Sequence, residues 1–356
     1  MTLFRSVFFL LLTTLLPFQK NDAHELSICA IFQDEAPYLT EWIEYHRLVG
    51  VDHFYLYNDR SSDEYLTVLA PYIEEGVVDL IDCHAEEGET HFFNQRKAYA
   101  RGLKKAKDED KWLAIIDIDE FIVPKKVDTI KELLQQYEGY YGVSIRWQKF
   151  GTSGIWEIPA DRLTIECLIK KSPPDHPDNF TKCIVQPKLL PSNFFDENYV
   201  KENKVDLVHF CKWVPLNAYK VTSLGPMELP GQVQKVVDLD EAQLNHYWCR
   251  DEKYYREKKV VRKARFQNED FNLPVPWPEE KVQIALTLLN LYDDYAIQRF
   301  VPALKERMDL QAKAQEELII AEQTQKIVDQ FAEDWKKANA STPKELNVQI
   351  QMFKNL

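Results

Sequence analysis

Glycine is scarce in this chain, with 10 residues in 356. None of them falls in a GxGxxG or GxxxxGK[ST] segment. Those motifs need glycine so that backbone can close on a phosphate, so neither a Rossmann dinucleotide site nor a P-loop is supported. Excess positive charge is missing too. Lys and Arg number 44 against 57 Asp and Glu, a formal net charge of -13, which argues against nucleic acid or an anionic membrane surface as the main partner. The six cysteines (Cys29, Cys83, Cys167, Cys183, Cys211, Cys249) contain no CxxC pair, which excludes zinc ribbons and thioredoxin-type sites on spacing. After the first 23 residues no run is long or apolar enough to span a bilayer.

Hydrophobic content of 45% and charged content of 28% are ordinary for a soluble globular body. The length predicts one large domain or two. Aromatic content is high at 12% and suits both core packing and an aromatic-lined cleft. Residues 1–23 read as a targeting segment, with Arg5 as the positive region and Val7 to Phe18 as a short apolar run. That run fits a signal peptide, with a signal anchor as the other reading. The protein is therefore expected to be exported or anchored through this segment, with no other membrane association. Export would permit disulfides, and Cys167 with Cys183 is the pair to test against buried thiols. Asn179-Phe-Thr and Asn339-Ala-Ser match the glycosylation sequon.

The most informative stretch is KWLAIIDIDEFIVP, Lys111 to Pro124. Trp112 to Ile116 reads as a strand buried on both faces. It runs into Asp117, Asp119 and Glu120, and on an extended chain the two aspartates point the same way. Paired carboxylates at a strand exit repel unless a cation separates them, and hard divalent ions take such ligands together with substrate phosphates. A merely solvated acidic turn is the alternative reading of a lone DxD. Around this stretch, strand and helix alternate. Leu26 to Phe32, Val51 to Tyr57 and Val77 to Ile81 read as strands, and Tyr38 to Leu48, Glu64 to Glu75 and His91 to Lys107 as helices. The pattern predicts a parallel, doubly wound sheet whose exits at Gln33, Asn58 and Asp117 line one edge, where a nucleotide could sit. A short helix from Thr129 to Tyr137 and a strand from Tyr141 to Trp147 follow. The chain from Trp277 onward has helical periodicity and reads as an appended hairpin, a partner-binding helix, or helices packed on the main domain.

Several segments together resemble family 92 glycosyltransferases and their bacterial family-2-like relatives. They are ELSICAIFQDEAPYLTEWIEYHRLVGVDHFYLYNDRSSD, NQRKAYARGL, KWLAIIDIDEFIVP, RWQKFGTSG, LTIEC, KCIVQP and LNHYWCRDEKYYREKK, in that order. The resemblance implies an α/β fold of the GT-A type, a mostly parallel central sheet flanked by helices, spanning 24–270, with a helical C-terminal extension over 271–356. It also implies a nucleotide-sugar donor, a UDP-sugar in characterised relatives, with a glycan or other hydroxyl acceptor. A divalent metal, Mn2+ or Mg2+, and inversion at the anomeric carbon complete the implied chemistry.

Site residues follow from the same resemblance. Asp119 and Asp117 would bind the metal, with Asp117 also near the donor, Glu120 beside them, and His246 of LNHYW completing the site; a hydrogen-bonded structural histidine is the plainer reading of His246. Gln33, Glu35, Asn58, Asp59, Gln95 and Arg96 would contact the nucleotide, Arg96 through phosphate. Asn-Asp-Arg at Asn58 to Arg60 departs from many relatives, which opens the individual roles of Asn58 and Asp59. Inversion needs a carboxylate base. Glu166 of LTIEC matches the family's glutamate, with Glu157 and Asp161 as rivals. Trp147, Phe150 and Gly151 to Gly154 would shape the acceptor pocket, core packing being the alternative for Trp147. The competing function is a nucleotide- or carbohydrate-binding protein without turnover. A DxD phosphohydrolase is rejected, because its aspartates follow the first strand with Thr or Val at the fifth position, where this chain has Phe121.

Overall fold

The computed structural model describes residues 24–84, 91–174, 176, 180–190, 192–202, 235–260 and 278–338. The expected targeting segment, both sequon asparagines and Cys211 lie outside the described residues. Strand β1 (His24–Phe32) pairs in parallel with β2 (His53–Asn58) and β4 (Asp110–Ile115), and β2 with β3 (Val78–Asp82). Helices α1 (Ala36–Leu48), α2 (Tyr65–Glu74) and α3 (His91–Glu109) connect them. Alternation along the strands decides which face each side chain serves. Leu26, Ile28, Ala30 and Phe32 of β1, with Trp112 and Ala114 of β4, join Leu39, Trp42 and Ile43 of α1 and Leu69 of α2. Cys29, Ile31, Leu113 and Ile115 face the other way, against Ala98, Tyr99 and Leu103 of α3. Helix α3 comes so close that a Cβ on Gly102 would stand 2.4 Å from Cys29 Sγ; only glycine fits there.

Beyond β4 the sheet stops being parallel. Strand β8 (Thr181–Val185) runs antiparallel to both β4 and β6 (Gly142–Lys149). Strand β10 (Ala242–His246) is parallel to β6 and antiparallel to β5 (Glu120–Pro124). The order is β3-β2-β1-β4-β8-β6-β10-β5. The doubly wound reading therefore describes the first half, and the second half is a mixed sheet. Helix α4 (Ile130–Gln135) is shorter than expected; it is held at its start by a capping box between Thr129 and Glu132.

The helices of the expected extension begin on the main body. Val282, Leu286 and Leu289 of α8 (Glu279–Leu289) pack on Cys249, Tyr255 and Val260. The first turns of α9 (Val301–Ala338) place Val301 and Leu304 in the main core, and Arg307 pairs with buried Glu44 of α1 at 2.8 Å. Packing on the main domain is thus what the structure shows for the near part of this region. Among the described residues no helix is long and apolar enough to cross a membrane. Cys167 and Cys183 are not joined. Cys183 belongs to the core under α3, whereas Cys167 packs against the core on the opposite face of the sheet.

Candidate active site

Strand β4 ends at Ile115, and the chain turns through Ile118 and Asp119 before β5 begins at Glu120. The Asp117 carbonyl accepts the Glu120 N–H at 3.1 Å, and the Glu120 carboxylate accepts the Asp117 N–H at 2.9 Å. The segment is a closed turn, not the extended chain expected from alternation. Asp117 and Asp119 consequently have separate surroundings.

Asp117 Oδ1 accepts from Tyr99 Oη at 2.9 Å and Gln95 Nε2 at 3.3 Å, while Oδ2 accepts from Lys182 Nζ at 2.9 Å. Burial would raise its pKa, but Lys182 prevails and holds the carboxyl below its usual range. Glu120 is fully buried, and burial, only partly opposed by Lys182, pushes its carboxyl well up.

Asp119 sits opposite a different set. His246 Nε2 is 3.4 Å from its Oδ1, and Lys259 Nζ is 3.3 Å from its Oδ2. The sheet fixes this meeting, since His246 is paired with Glu120 in register and the Tyr247 N–H donates to the Asp119 carbonyl at 2.8 Å. Burial works against the Asp119 charge, yet Lys259 and His246 hold its carboxyl well below the usual range. Burial lowers the His246 pKa against the pull of Asp119, so the ring is neutral and able to ligate. Its Nδ1 has no hydrogen-bond partner among the described atoms.

A carboxylate oxygen and an imidazole nitrogen facing each other form a donor pair suited to a manganese-like ion. The described residues contain no group of three or more His, Cys, Asp or Glu side chains able to hold a metal. The protein then offers two ligands and leaves the rest to a substrate diphosphate and water, which is how hard divalent ions are commonly held. Cations surround the pair. Lys259 and Lys149 lie over the Trp248 ring at 5.4 and 4.9 Å. Arg250, 1% exposed, donates to Glu35 at 3.0 Å and stacks on Tyr38 at 3.7 Å.

Of the residues expected from sequence, Asp117, Asp119, Glu120, His246 and Gln95 come together, and Glu35 joins through Arg250. Asn58 is occupied internally: its side chain donates to Tyr65 Oη and Asp82 and accepts from the Ser61 N–H. Its role is to shape the β2 exit loop. Asp59 is buried next to Arg60, Gln33 is exposed at the β1 exit, and Arg96 is half-buried on α3. Glu166 lies elsewhere. On the short helix α5 (Thr164–Cys167) its carboxylate pairs with Arg162 at 2.9 Å and Lys305 of α9 at 2.8 Å. Burial would raise its pKa, but those two cations keep it lowered. Trp147 and Phe150 do not form an open acceptor surface. The Trp147 ring lies 4.4 Å from that of His246, and Phe150 is fully buried 4.7 Å from Tyr247. The exposed aromatic of that loop is Trp156, at 57%. Sequence reading passed over Lys182, Lys149, Lys259, Arg250 and Tyr99. A lysine inside the otherwise apolar strand of KCIVQP was the available signal for the first.

A family model described as Glycosyltransferase family 92 matches residues 24–283. The chain belongs to glycosyltransferase family 92. The α/β fold of GT-A type expected from the resemblance is the architecture described above. Over 190 residues the chain is 27% identical to a glycosyltransferase family 92 protein of Arabidopsis thaliana, covering 49% of this chain and 31% of that protein. Over 105 residues it is 33% identical to the galactan beta-1,4-galactosyltransferase GALS3 of the same plant, covering 28% and 21%. Among solved structures, S. aureus TarS in complex with UDP aligns at 16% identity and a TM-score of 0.30, covering 51% of this chain and 49% of that one. The chain spans less than a third of the length of these curated relatives.

Proposed function

We propose that this family 92 chain is a metal-dependent glycosyltransferase. It moves a hexose from a nucleotide-sugar, a UDP-sugar, to a hydroxyl of a glycan acceptor, with inversion. The observation that carries the reading is the Asp119–His246 pair at the β4 exit, ringed by Lys259, Lys149 and Arg250 in a chain that is acidic overall. Nucleotide-sugar transfer builds negative charge on a departing diphosphate, and such a ring is placed to receive it. A divalent ion bound there would supply Lewis-acid stabilisation of that leaving group. Asp119 and His246 would hold the ion, and Lys259, 3.3 Å from Asp119, would reach the phosphate oxygens beside it. Galactan galactosyltransferases among the relatives support a hexosyl donor and a polysaccharide acceptor.

The acceptor side is formed by the loop from Gly151 to Arg162. It is tied to the Arg250 segment by the Glu252 and Lys253 N–H groups, which donate at 2.9 Å to the carbonyls of Ile155 and Trp156. Glu157 and Asp161 on that loop are the carboxylates available as base. Glu166, held between two cations outside the cluster, is expected to act as a tie between α5 and α9. Glu166→Gln should cost less than about 1 kcal/mol of stability and leave kcat nearly unchanged. A kcat loss of about a hundredfold without unfolding would return the base role to it.

Thermal melting of the full chain against a nucleoside-diphosphate panel, with and without Mn2+, tests the main reading. A ligand at a hundred times its dissociation constant adds about 2.7 kcal/mol. UDP should raise the melting temperature only with metal, and UDP-hexoses should then be turned over on galactan-type oligosaccharides. Metal-dependent UDP binding with no transfer to any acceptor would favour the binding protein without turnover. No shift with any nucleotide would end the donor assignment.

A further inference from the structure

Lys182 sits in β8, whose five residues are all buried. Its side chain is 1% exposed, with the ammonium 2.9 Å from Asp117 Oδ2 and 3.5 Å from Glu120 Oε2. The Trp147 ring lies 5.8 Å from it. Desolvating a full positive charge this deeply is costly, and only close, well-placed anions offset it. The other oxygen of Asp117 is equally committed, to Tyr99 at 2.9 Å and Gln95 at 3.3 Å. Asp117 thus has a donor on each oxygen, one of them a fixed charge. Asp119 differs, since its nearest partners, His246 and Lys259, stand back at 3.4 and 3.3 Å. A divalent ion drawn to Asp117 would have to displace the Lys182 ammonium or share a carboxylate with it at short range. Asp119 and His246 offer their donor atoms without that repulsion.

We propose that Lys182 is a positioning residue, the built-in counter-cation of Asp117 and Glu120, and that the divalent ion is therefore held by Asp119 and His246 and not by Asp117. The second half rests on the metal-dependent reading above; the first half stands without it. Lys182 would keep the first aspartate of the motif turned into the protein and leave the second free for the metal.

Lys182→Met keeps the length of the side chain and deletes the charge. In EDTA this variant should melt well below the wild type, because two buried carboxylates lose their cation. Mn2+ alone, without nucleotide, should then recover part of that loss, since the uncompensated pair attracts a divalent ion. The same Mn2+ should move the wild type little. A purely packing role for Lys182 would give the first result and not the second. Should Lys182→Met fail to fold, the double variant Lys182→Met with Asp117→Asn is expected to fold and to melt closer to the wild type. For the ligand assignment, the electron paramagnetic resonance signal of free Mn2+ gives its affinity in the presence of UDP. Asp117→Asn should nearly keep that affinity, and Asp119→Asn should lose about a hundredfold or more. The proposal is overturned by a Lys182→Met protein that melts like the wild type in EDTA or ignores Mn2+. A double variant no better than the single one overturns it as well. An Asp117→Asn loss equal to that of Asp119→Asn makes Asp117 a ligand and removes the second half. If neither aspartate variant changes Mn2+ affinity, the metal reading fails at this site, and the EDTA comparison alone decides the role of Lys182.

Discussion

Asp119→Asn should lower transfer by about a thousandfold or more while leaving the chain folded. The substitution keeps the shape of the side chain and removes the charge. In the native protein Asp119 is 8% exposed, a setting that would favour the neutral acid. Lys259, His246 and Arg250 outweigh that burial and hold the carboxyl well below its usual range. It is therefore ionised at any working pH, as a metal ligand must be. The turn does not depend on the carboxylate, because the link to β10 runs from the Tyr247 N–H to the Asp119 main-chain carbonyl at 2.8 Å. What changes is the field seen by Lys259 and His246. The folded pKa of Asp119 is depressed, so its contribution to stability is present above the ordinary carboxylate range and fades as pH falls through the lowered value. Wild type and variant should accordingly converge in stability in acid. Steady-state transfer assays with Mn2+, paired with melting curves, separate the two effects. An Asn variant with wild-type kcat would take Asp119 out of the metal site.

The parts of this fold legible in the sequence are those whose determinants are local. Alternation in LSICAIF and WLAII, with helical spacing between the strands, specified β1, β2, β3 and β4 to within a few residues. The second half carries no such signal. Strand β5 pairs Pro124 with Ala242, and β4 pairs Leu113 with Val185, contacts that no short window can show. The same holds inside the site. Glu41 of α1 accepts the Thr164 and Ile165 N–H groups at 2.9 Å across 123 and 124 residues, which positions α5 and, with it, Glu166. Nothing in LTIEC reveals that its glutamate faces Arg162 and Lys305. Alternation misled at Asp117 and Asp119, because a turn replaces the strand there. His246 was reachable only through the resemblance, as an isolated histidine has no spacing to read.

His46 gives the largest effect expected outside the site, an acid-dependent loss of stability. The residue is fully buried in α1, with Nδ1 2.8 Å from the Trp42 carbonyl. Nδ1 is therefore the protonated nitrogen, and Nε2 accepts the Ile122 N–H at 3.4 Å. The ring stacks on Phe121 with centroids 5.7 Å apart, so it supports the residue that follows Glu120 and props the start of β5. Burial, only partly opposed by the bond to Trp42, lowers its pKa from 6.5 to about 3. The unfolded chain takes up a proton near the ordinary value, and the folded chain does not until far lower. The contribution of His46 is thus complete above the unfolded value and is lost as pH falls toward about 3, at about 1.4 kcal/mol per unit. His46→Gln has no such proton to take up. Urea unfolding of both proteins from pH 7 to pH 4 should show the wild-type advantage shrinking by roughly 3 kcal/mol. Other titrating groups are common to both proteins and cancel in the difference. An advantage that stays constant with pH would mean that His46 is protonated as readily inside the fold as outside it. Loss of activity in step with this acid limb would connect the α1 support to the turn that carries Asp117 and Asp119.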